Sequence, residues 1–341
     1  MSATIKDVAK KAKVAVSTVS LVMNGKGPVS KDTEKKVLKA IEELHYHPQR
    51  SARGLVTKRS GNFGFILSGD HFSHAEPFYT KIFLGTEFEA RAFDYYILLT
   101  TIEPKVTNHN IPRFLLERNV DGVILAGTVP TEIVEYIHKN ELPIVLIDYF
   151  LPQIYHSTIL IDNEMGIRLV IDHLLEMGHR KIAFIGGDVD HPSMQVRCAT
   201  FTSYLQQKGI EVSETFVECM GTASGNEAGF EAANRLLDRK LGFTAIVAAN
   251  DAMAVGALRA CRDRKITIPD EMAVTGFDNV ESSIAARPTL TTVHVPKEEM
   301  GAAAVRHLVD VINGKSSQGI KTVLPVKLVV RESTLGNQPM R

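Results

Sequence analysis

The sequence is poor in cysteine and has no long apolar run. Cys198, Cys219 and Cys261 are the only three in 341 residues, and none sits in a CxxC pair or a histidine–cysteine cluster. This spacing argues against a disulfide framework or structural zinc, so reduced thiols, no metal and no cofactor are expected. No apolar segment is long enough to span a bilayer, and the opening residues, Met1 to Asp7, contain no apolar signal core. A cytoplasmic protein without a membrane partner is therefore expected. Catalytic signatures are missing as well: there is no nucleophile elbow, Walker loop or metal-spaced histidine cluster, and Gly186-Gly187-Asp188 lacks the third glycine of a dinucleotide loop. An enzyme is not expected.

An excess of one charge sign is also absent, but the balance of 39 basic and 39 acidic residues conceals an asymmetry. Residues 1–60 carry 13 Lys or Arg against 5 Asp or Glu, which leaves 26 basic and 34 acidic residues in the rest. A basic end suits a nucleic acid, a solvated surface being the alternative. The length fits a small module joined to a large one.

Within the basic end, Thr4 and Asp7 have capping-box spacing, and Ile5, Val8, Ala9 and Ala12 follow at helical intervals. After a break at Lys13-Val14, residues 16–23 form a second short helical pattern with Val19 and Val22 on one face. That separation predicts a helix-turn-helix. Asn24-Gly25 and Pro28 mark a turn, and Ser30 then caps a third helix with Val37, Ala40, Ile41 and Leu44 as its core stripe.

Several short stretches in order, Ile5 to Ala9, Thr18 to Ser20, Asn24-Gly25, Val29-Ser30, Thr33, Tyr46-His47-Pro48 and Ala52 to Leu55, resemble the lactose-repressor family. The resemblance implies a headpiece over 1–47 whose second helix enters the major groove of double-stranded DNA. Val16, Ser17 and Leu21 would face base edges, with Thr18, Ser20 and Asn24 near phosphates; Thr4, Ser30 and Thr33 complete the expected DNA-binding set. Two positions depart from the family pattern. Ala15 replaces a capping serine, which should cost about 1 kcal/mol. Leu21 replaces an arginine, so a thymine-methyl contact stands in for a bidentate guanine contact. The hinge, 48–60, reads by itself as a flexible linker; by the resemblance it folds on the minor groove, with Ala52, Arg53 and Leu55 on DNA and Leu55 as the wedge.

From residue 61 to 335, apolar runs at 63–67, 95–99, 122–126, 144–147, 181–185, 245–249 and 272–276 alternate with helix-length segments. The fold class expected is α/β: a small all-α headpiece followed by a two-lobed parallel α/β sensor. The stretches at 120–124, 143–145, 162–163, 178–182, 250–251 and 276–279 resemble the periplasmic sugar-binding fold. The resemblance implies three crossings between lobes, with an N-lobe of about 61–160 and 291–322 and a C-lobe of about 161–290 and 323–335.

Polar groups at strand ends are the effector candidates, because ligands in such folds sit at the C-terminal ends of strands. Asp278, Asn250 and Asp148 offer hydrogen-bonding groups there. By the resemblance, Arg197 stands where the family holds an arginine whose planar fork grips a ligand, a surface ion pair being the alternative, and Phe78 and Tyr79 stand where the family lays an aromatic ring against a sugar face. Helix capping is the alternative for the pair Asn250-Asp251, and core packing for Phe78 and Tyr79. The expected function is a transcriptional repressor, homodimeric, acting on an operator of approximate two-fold symmetry and controlled by a small molecule, with a sugar expected. A solute-binding protein of the same sensor fold is the alternative, though it would have no use for a basic headpiece. Residues 338–341 show no heptad repeat, so a dimer is expected rather than a tetramer.

Overall fold

A computed structural model describes residues 3–24, 27–46, 59–69, 78–103, 111–151, 156–221 and 223–335. The chain divides into two compact units, 1–61 and 62–341. Gly25, most of the hinge (residues 48–58, with Ala52, Arg53 and Leu55) and the tail from 336 lie outside the described residues.

Among the described residues the first unit holds three packed helices: α1 (Ile5–Ala12), α2 (Val16–Asn24) and α3 (Lys31–Glu43). The Thr4 N–H donates to Asp7 Oδ2 at 2.8 Å and the Asp7 N–H donates to Thr4 Oγ1 at 3.4 Å, so the two residues satisfy one another's end groups. Ser30 accepts from the Thr33 N–H at 3.2 Å and starts α3 in the same manner. Ala15 can offer only its carbonyl, which accepts from the Thr18 and Val19 amides, so α2 begins without a side-chain cap. Val8, Ala9, Ala12, Val19, Val37 and Ala40 form the small core.

The second unit holds two six-stranded sheets. The first runs in the order β11 (Lys321–Leu324), β5 (Ser157–Ile161), β4 (Ile144–Ile147), β3 (Gly122–Ala126), β1 (Asn62–Ser68), β2 (Tyr96–Ile102). The second runs β12 (Lys327–Val329), β10 (Thr291–His294), β9 (Ala273–Asp278), β8 (Ala245–Ala248), β6 (Ile182–Gly186), β7 (Val217–Cys219). All pairings are parallel except β10 with β12. The central strands are buried along their whole length, as parallel strands covered on both faces must be.

The chain passes between the sheets three times: after β5, after β10 and after β11. The last two crossings therefore fall near 295 and 325, a few residues beyond the sequence-based 290 and 322. Thr291–His294 hydrogen-bonds to β9 rather than to the first sheet, and Lys321–Leu324 extends the first sheet beside β5. After β10, helix α12 (Lys297–Ile312) packs on α4 (Phe78–Ala92) in the first lobe. A Cβ at Gly85 would lie 1.9 Å from the Glu298 carbonyl oxygen and one at Gly301 would lie 2.1 Å from that of Ile82, so both glycines are required by backbone contact.

Candidate effector cleft and nucleic-acid interface

In the headpiece, Val19 is buried; Ser17 and Leu21 are exposed on the opposite side of α2, and Val16 is exposed in its first turn. Thr18 and Ser20 are half-buried beside them, and Asn24 is the last residue of the helix. Val16 and Leu21, 42% and 40% exposed, are branched apolar side chains of the kind that can meet thymine methyl groups in a major groove. Thr4 and Ser30 stand at the starts of α1 and α3, where backbone N–H groups and side-chain hydroxyls can meet phosphate oxygens; Thr33 lies half-buried in the first turn of α3. The basic residues nearby are exposed on α1 and α3, where Lys11 and Lys36 also hold Glu43 and Asp32.

The second unit gathers five of the six candidate effector residues at the meeting of its lobes. On the first-lobe side, α4 begins with Phe78 and Tyr79, their rings edge to face at 5.0 Å. The Tyr79 hydroxyl donates to Asp148 Oδ2 at 3.2 Å, and burial together with this carboxylate pushes the phenol well above its ordinary range. Asp148 follows β4 and is buried. Its other oxygen accepts from Ser193 Oγ at 2.6 Å, and His191 Nε2 stands 3.6 Å from Oδ2. Ser193 and His191 belong to the start of α8 (Pro192–Gln207), which packs on α7 (Asn163–Glu176) in the second lobe, so Asp148 joins the two lobes directly.

Arg197 lies one turn further along α8 and is only 2% exposed. Nε donates to Asn163 Oδ1 at 2.8 Å and Nη1 to the Ala249 carbonyl at 2.6 Å. Its plane lies over the Phe277 ring, 3.6 Å from the centroid, and Nη2 stands 3.6 Å from Asp278 Oδ1. That separation is an ion pair but not a hydrogen bond, and Asp278 Oδ1 has no hydrogen-bond partner although it is buried. Burial pushes the Asp278 carboxyl up to about 6, with Arg197 and Lys297 pulling down and Asp148 adding repulsion. Asp278 has φ 111°, Asn279 φ 54° and Asp148 φ 60°, so both carboxylates leave their strands in the left-handed region. Such strain persists only where surroundings enforce it, and it concentrates at binding sites.

The sequence reading missed the group that enforces it. Lys297, the first residue of α12, is 1% exposed, and its ammonium donates to the carbonyls of Asp278 and, at 3.2 Å, of Val295. It also faces the Phe78 ring at 5.9 Å, and burial pulls its pKa down. A lysine at a helix start reads as a surface charge; only the crossing after β10 brings it inside. Asp251, fully buried, accepts from the Val280 N–H at 2.8 Å and from Thr292 Oγ1 at 2.5 Å, and so ties down the loop after Asp278.

Asn250 stands apart from the other candidates. Its Oδ1 accepts from the Met253 N–H at 2.8 Å, capping α10 (Asp251–Asp263), and its Nδ2 donates to the Ser224 carbonyl at 2.9 Å. Of the pair for which capping was the alternative, Asn250 is the cap, and Asp251 is bonded to Val280 and Thr292 instead. Asn163, Ser193 and His191 were also missed; the rule that singles out strand-end polar groups reaches the loop after β6 and could have found the last two. Among the described residues no helix is long and apolar enough to cross a membrane, and no cluster of three or more His, Cys, Asp or Glu is placed to hold a metal.

Comparison with known proteins agrees with both halves. Residues 4–49 match the bacterial regulatory proteins of the lacI family, and residues 171–334 match the periplasmic binding protein-like domain. The chain is 34% identical over 340 residues to the HTH-type transcriptional regulator DegA of Bacillus subtilis, covering 98% of each. It is 31% identical to catabolite control protein A of Priestia megaterium, with 98% of this chain and 100% of that protein covered. Among solved structures, the lac repressor dimer bound to operator and the anti-inducer ONPF superposes with a TM-score of 0.84 at 28% identity, covering 98% of this chain and 100% of that one. The transcriptional regulator CelR in complex with cellobiose superposes with a TM-score of 0.74 at 32% identity, covering 97% and 99%. The chain therefore belongs to the lacI family of bacterial regulatory proteins, and is a DNA-binding transcriptional regulator with an effector-binding domain rather than an enzyme.

Proposed function

We propose that this regulator is a homodimeric repressor of an operator with approximate two-fold symmetry, and that its effector is a sugar held between the lobes. The observation that carries the reading is the buried Asp278 Oδ1, 3.6 Å from Arg197 and without a hydrogen-bond partner. A ligand hydroxyl donating to that oxygen would satisfy an acceptor that is costly to leave unmade. Asp148 supplies a second carboxylate, Arg197 a planar donor, and Phe78 and Tyr79 an aromatic edge for a sugar's C–H face. Two carboxylates facing Arg197 and Lys297 leave little net charge, which favours a neutral polyol over an anion. Asn250 is assigned a supporting role, since both its polar atoms are engaged.

On DNA, Val16, Ser17 and Leu21 would read base edges, with Thr4, Thr18, Ser20, Asn24, Ser30 and Thr33 at the backbone and the hinge residues Ala52, Arg53 and Leu55 in the minor groove. Regulation follows from linkage: the ligand binds one arrangement of the lobes better than the other, and this difference biases how two headpieces meet two half-sites. A thermal-stability screen of the purified protein against mono- and disaccharides, nucleosides and purines tests the effector class. A sugar that raises the melting midpoint, and no longer does so with Arg197→Ala, supports the proposal. A purine as the sole hit would replace the sugar, and a hit unaffected by Arg197→Ala would remove the cleft as its site.

A further inference from the structure

We propose that Lys81 and Glu281 form an ionic latch across the outer edge of the cleft, positioning residues that hold the two lobes closed. Lys81 lies one turn beyond Phe78 on α4 of the first lobe, and its ammonium stands 2.6 Å from Glu281 Oε1. Glu281 opens the short helix α11 (Glu281–Ala285) of the second lobe, three residues after Asp278. Neighbouring ion pairs stay inside one lobe: Arg306–Glu89 joins α12 to α4, and Arg197–Asp278 joins α8 to the end of β9.

A latch needs two fixed ends, and both are present. Asp251 accepts from the Val280 N–H at 2.8 Å, Ser283 Oγ donates to the Val280 carbonyl at 2.6 Å, and Arg331 Nη2 donates to Asn279 Oδ1 at 2.6 Å. The residues on either side of Glu281 are thus held within the second lobe. On the first-lobe side, α4 is locked to α12 by the close backbone contacts at Gly85 and Gly301. The hydrogen bond from Lys81, with the Lys297 charge adding to it, holds the Glu281 carboxyl below its ordinary range.

The latch differs from the other direct bridge between the lobes in its contact with water. Ser193 Oγ donating to Asp148 at 2.6 Å is buried, and salt screens it little. The side chains of Lys81 and Glu281 are 27% and 61% exposed, so salt screens their attraction. Closure of the cleft should therefore weaken as ionic strength rises, although the effector proposed above carries no charge. Losing an exposed pair of this kind shifts an equilibrium by about two- to five-fold. An effect on effector affinity rests on the proposed effector site, whereas the latch itself does not.

The test is hydrogen exchange of the ligand-free, full-length protein at pH 7, read by mass spectrometry. Peptides over 145–151 and 188–197 carry Asp148 and Ser193, which meet across the lobes. They should exchange about two- to five-fold faster in K81M and in E281Q, and no faster in K81M/E281Q than in either single variant. Raising sodium chloride from about 50 to about 500 mM should speed the same peptides in wild type and leave the double variant unchanged. Peptides over β8, inside the second lobe, should keep their rate in every variant, which separates an opened cleft from a loosened fold. Effects that multiply in the double variant, an equal acceleration in β8, or wild-type exchange indifferent to salt would overturn the latch. Exchange that follows the prediction while no sugar raises the melting midpoint would overturn the effector reading and leave this one standing.

Discussion

Replacing Asp278 with asparagine should make the ligand-free protein more stable at neutral pH while abolishing its response to effector. The Asp278 carboxyl is raised from 3.8 to about 6, chiefly by burial. A carboxyl whose folded-state pKa lies above its unfolded value favours the fold in its protonated form. Its contribution is fully present below about pH 4 and is lost as the pH rises through about 6. At about 1.4 kcal/mol per pH unit, the ionised carboxylate costs the folded state roughly 3 kcal/mol above pH 7. Asparagine has the shape of the neutral acid and removes that cost, so D278N should gain about 2 to 3 kcal/mol at pH 7.5. In a domain of this size the gain corresponds to a melting midpoint higher by roughly 5 °C. At pH 5 about half the difference should remain, because the unfolded carboxyl is already ionised while the folded one is largely protonated. Circular-dichroism melts of both proteins at the two pH values measure this. A D278N midpoint equal to or below wild type at pH 7.5, or a gain that does not shrink at pH 5, would refute the assignment of Asp278 as a strained, desolvated carboxylate.

Three further outcomes are expected. Lys297→Met should lower effector affinity by an order of magnitude or more, since the ammonium holds the Asp278 carbonyl and the left-handed turn; calorimetry with the ligand found by screening should show this, and an unchanged affinity would make Lys297 merely a core residue. Ala15→Ser should stabilise the isolated residues 1–61 by about 1 kcal/mol in urea titrations by supplying the missing cap of α2, and no change would mean that the helix start is already satisfied. Leu55→Ala should weaken binding to the specific operator while leaving non-specific binding nearly intact, as measured by fluorescence anisotropy; equal loss of both would remove Leu55 from the minor groove.

Local chemistry was the most legible part of the sequence. Thr4, Asp7 and Ser30 act within three residues of themselves, so their spacing alone gave the starts of α1 and α3. The apolar runs of β1, β3, β4, β6 and β8 stood out for the same reason. β5, Ser157–Ile161, and β10, Thr291–His294, mix hydroxyls with apolar residues, and those hydroxyls find partners only in the assembled fold, as Thr292 does on Asp251. Missing β10 moved the second crossing five residues too early. In the cleft, Asp148 and Asp278 stood out because each lies at a strand end, and Arg197 because of the family resemblance. Lys297 could not, because its burial depends on α12 crossing α4 at Gly85 and Gly301, a contact made by residues more than two hundred positions apart.

The central claim, that ligand occupancy of the cleft sets the affinity of the headpiece for DNA, is tested most directly by one titration. Full-length protein is bound to a duplex enriched from random sequence, and the dissociation constant is measured by fluorescence anisotropy with and without saturating effector. The account predicts an approximately palindromic duplex and a shift of at least about five-fold, as a coupling energy near 1 kcal/mol requires. An affinity that is the same with and without a ligand known to occupy the cleft would contradict it.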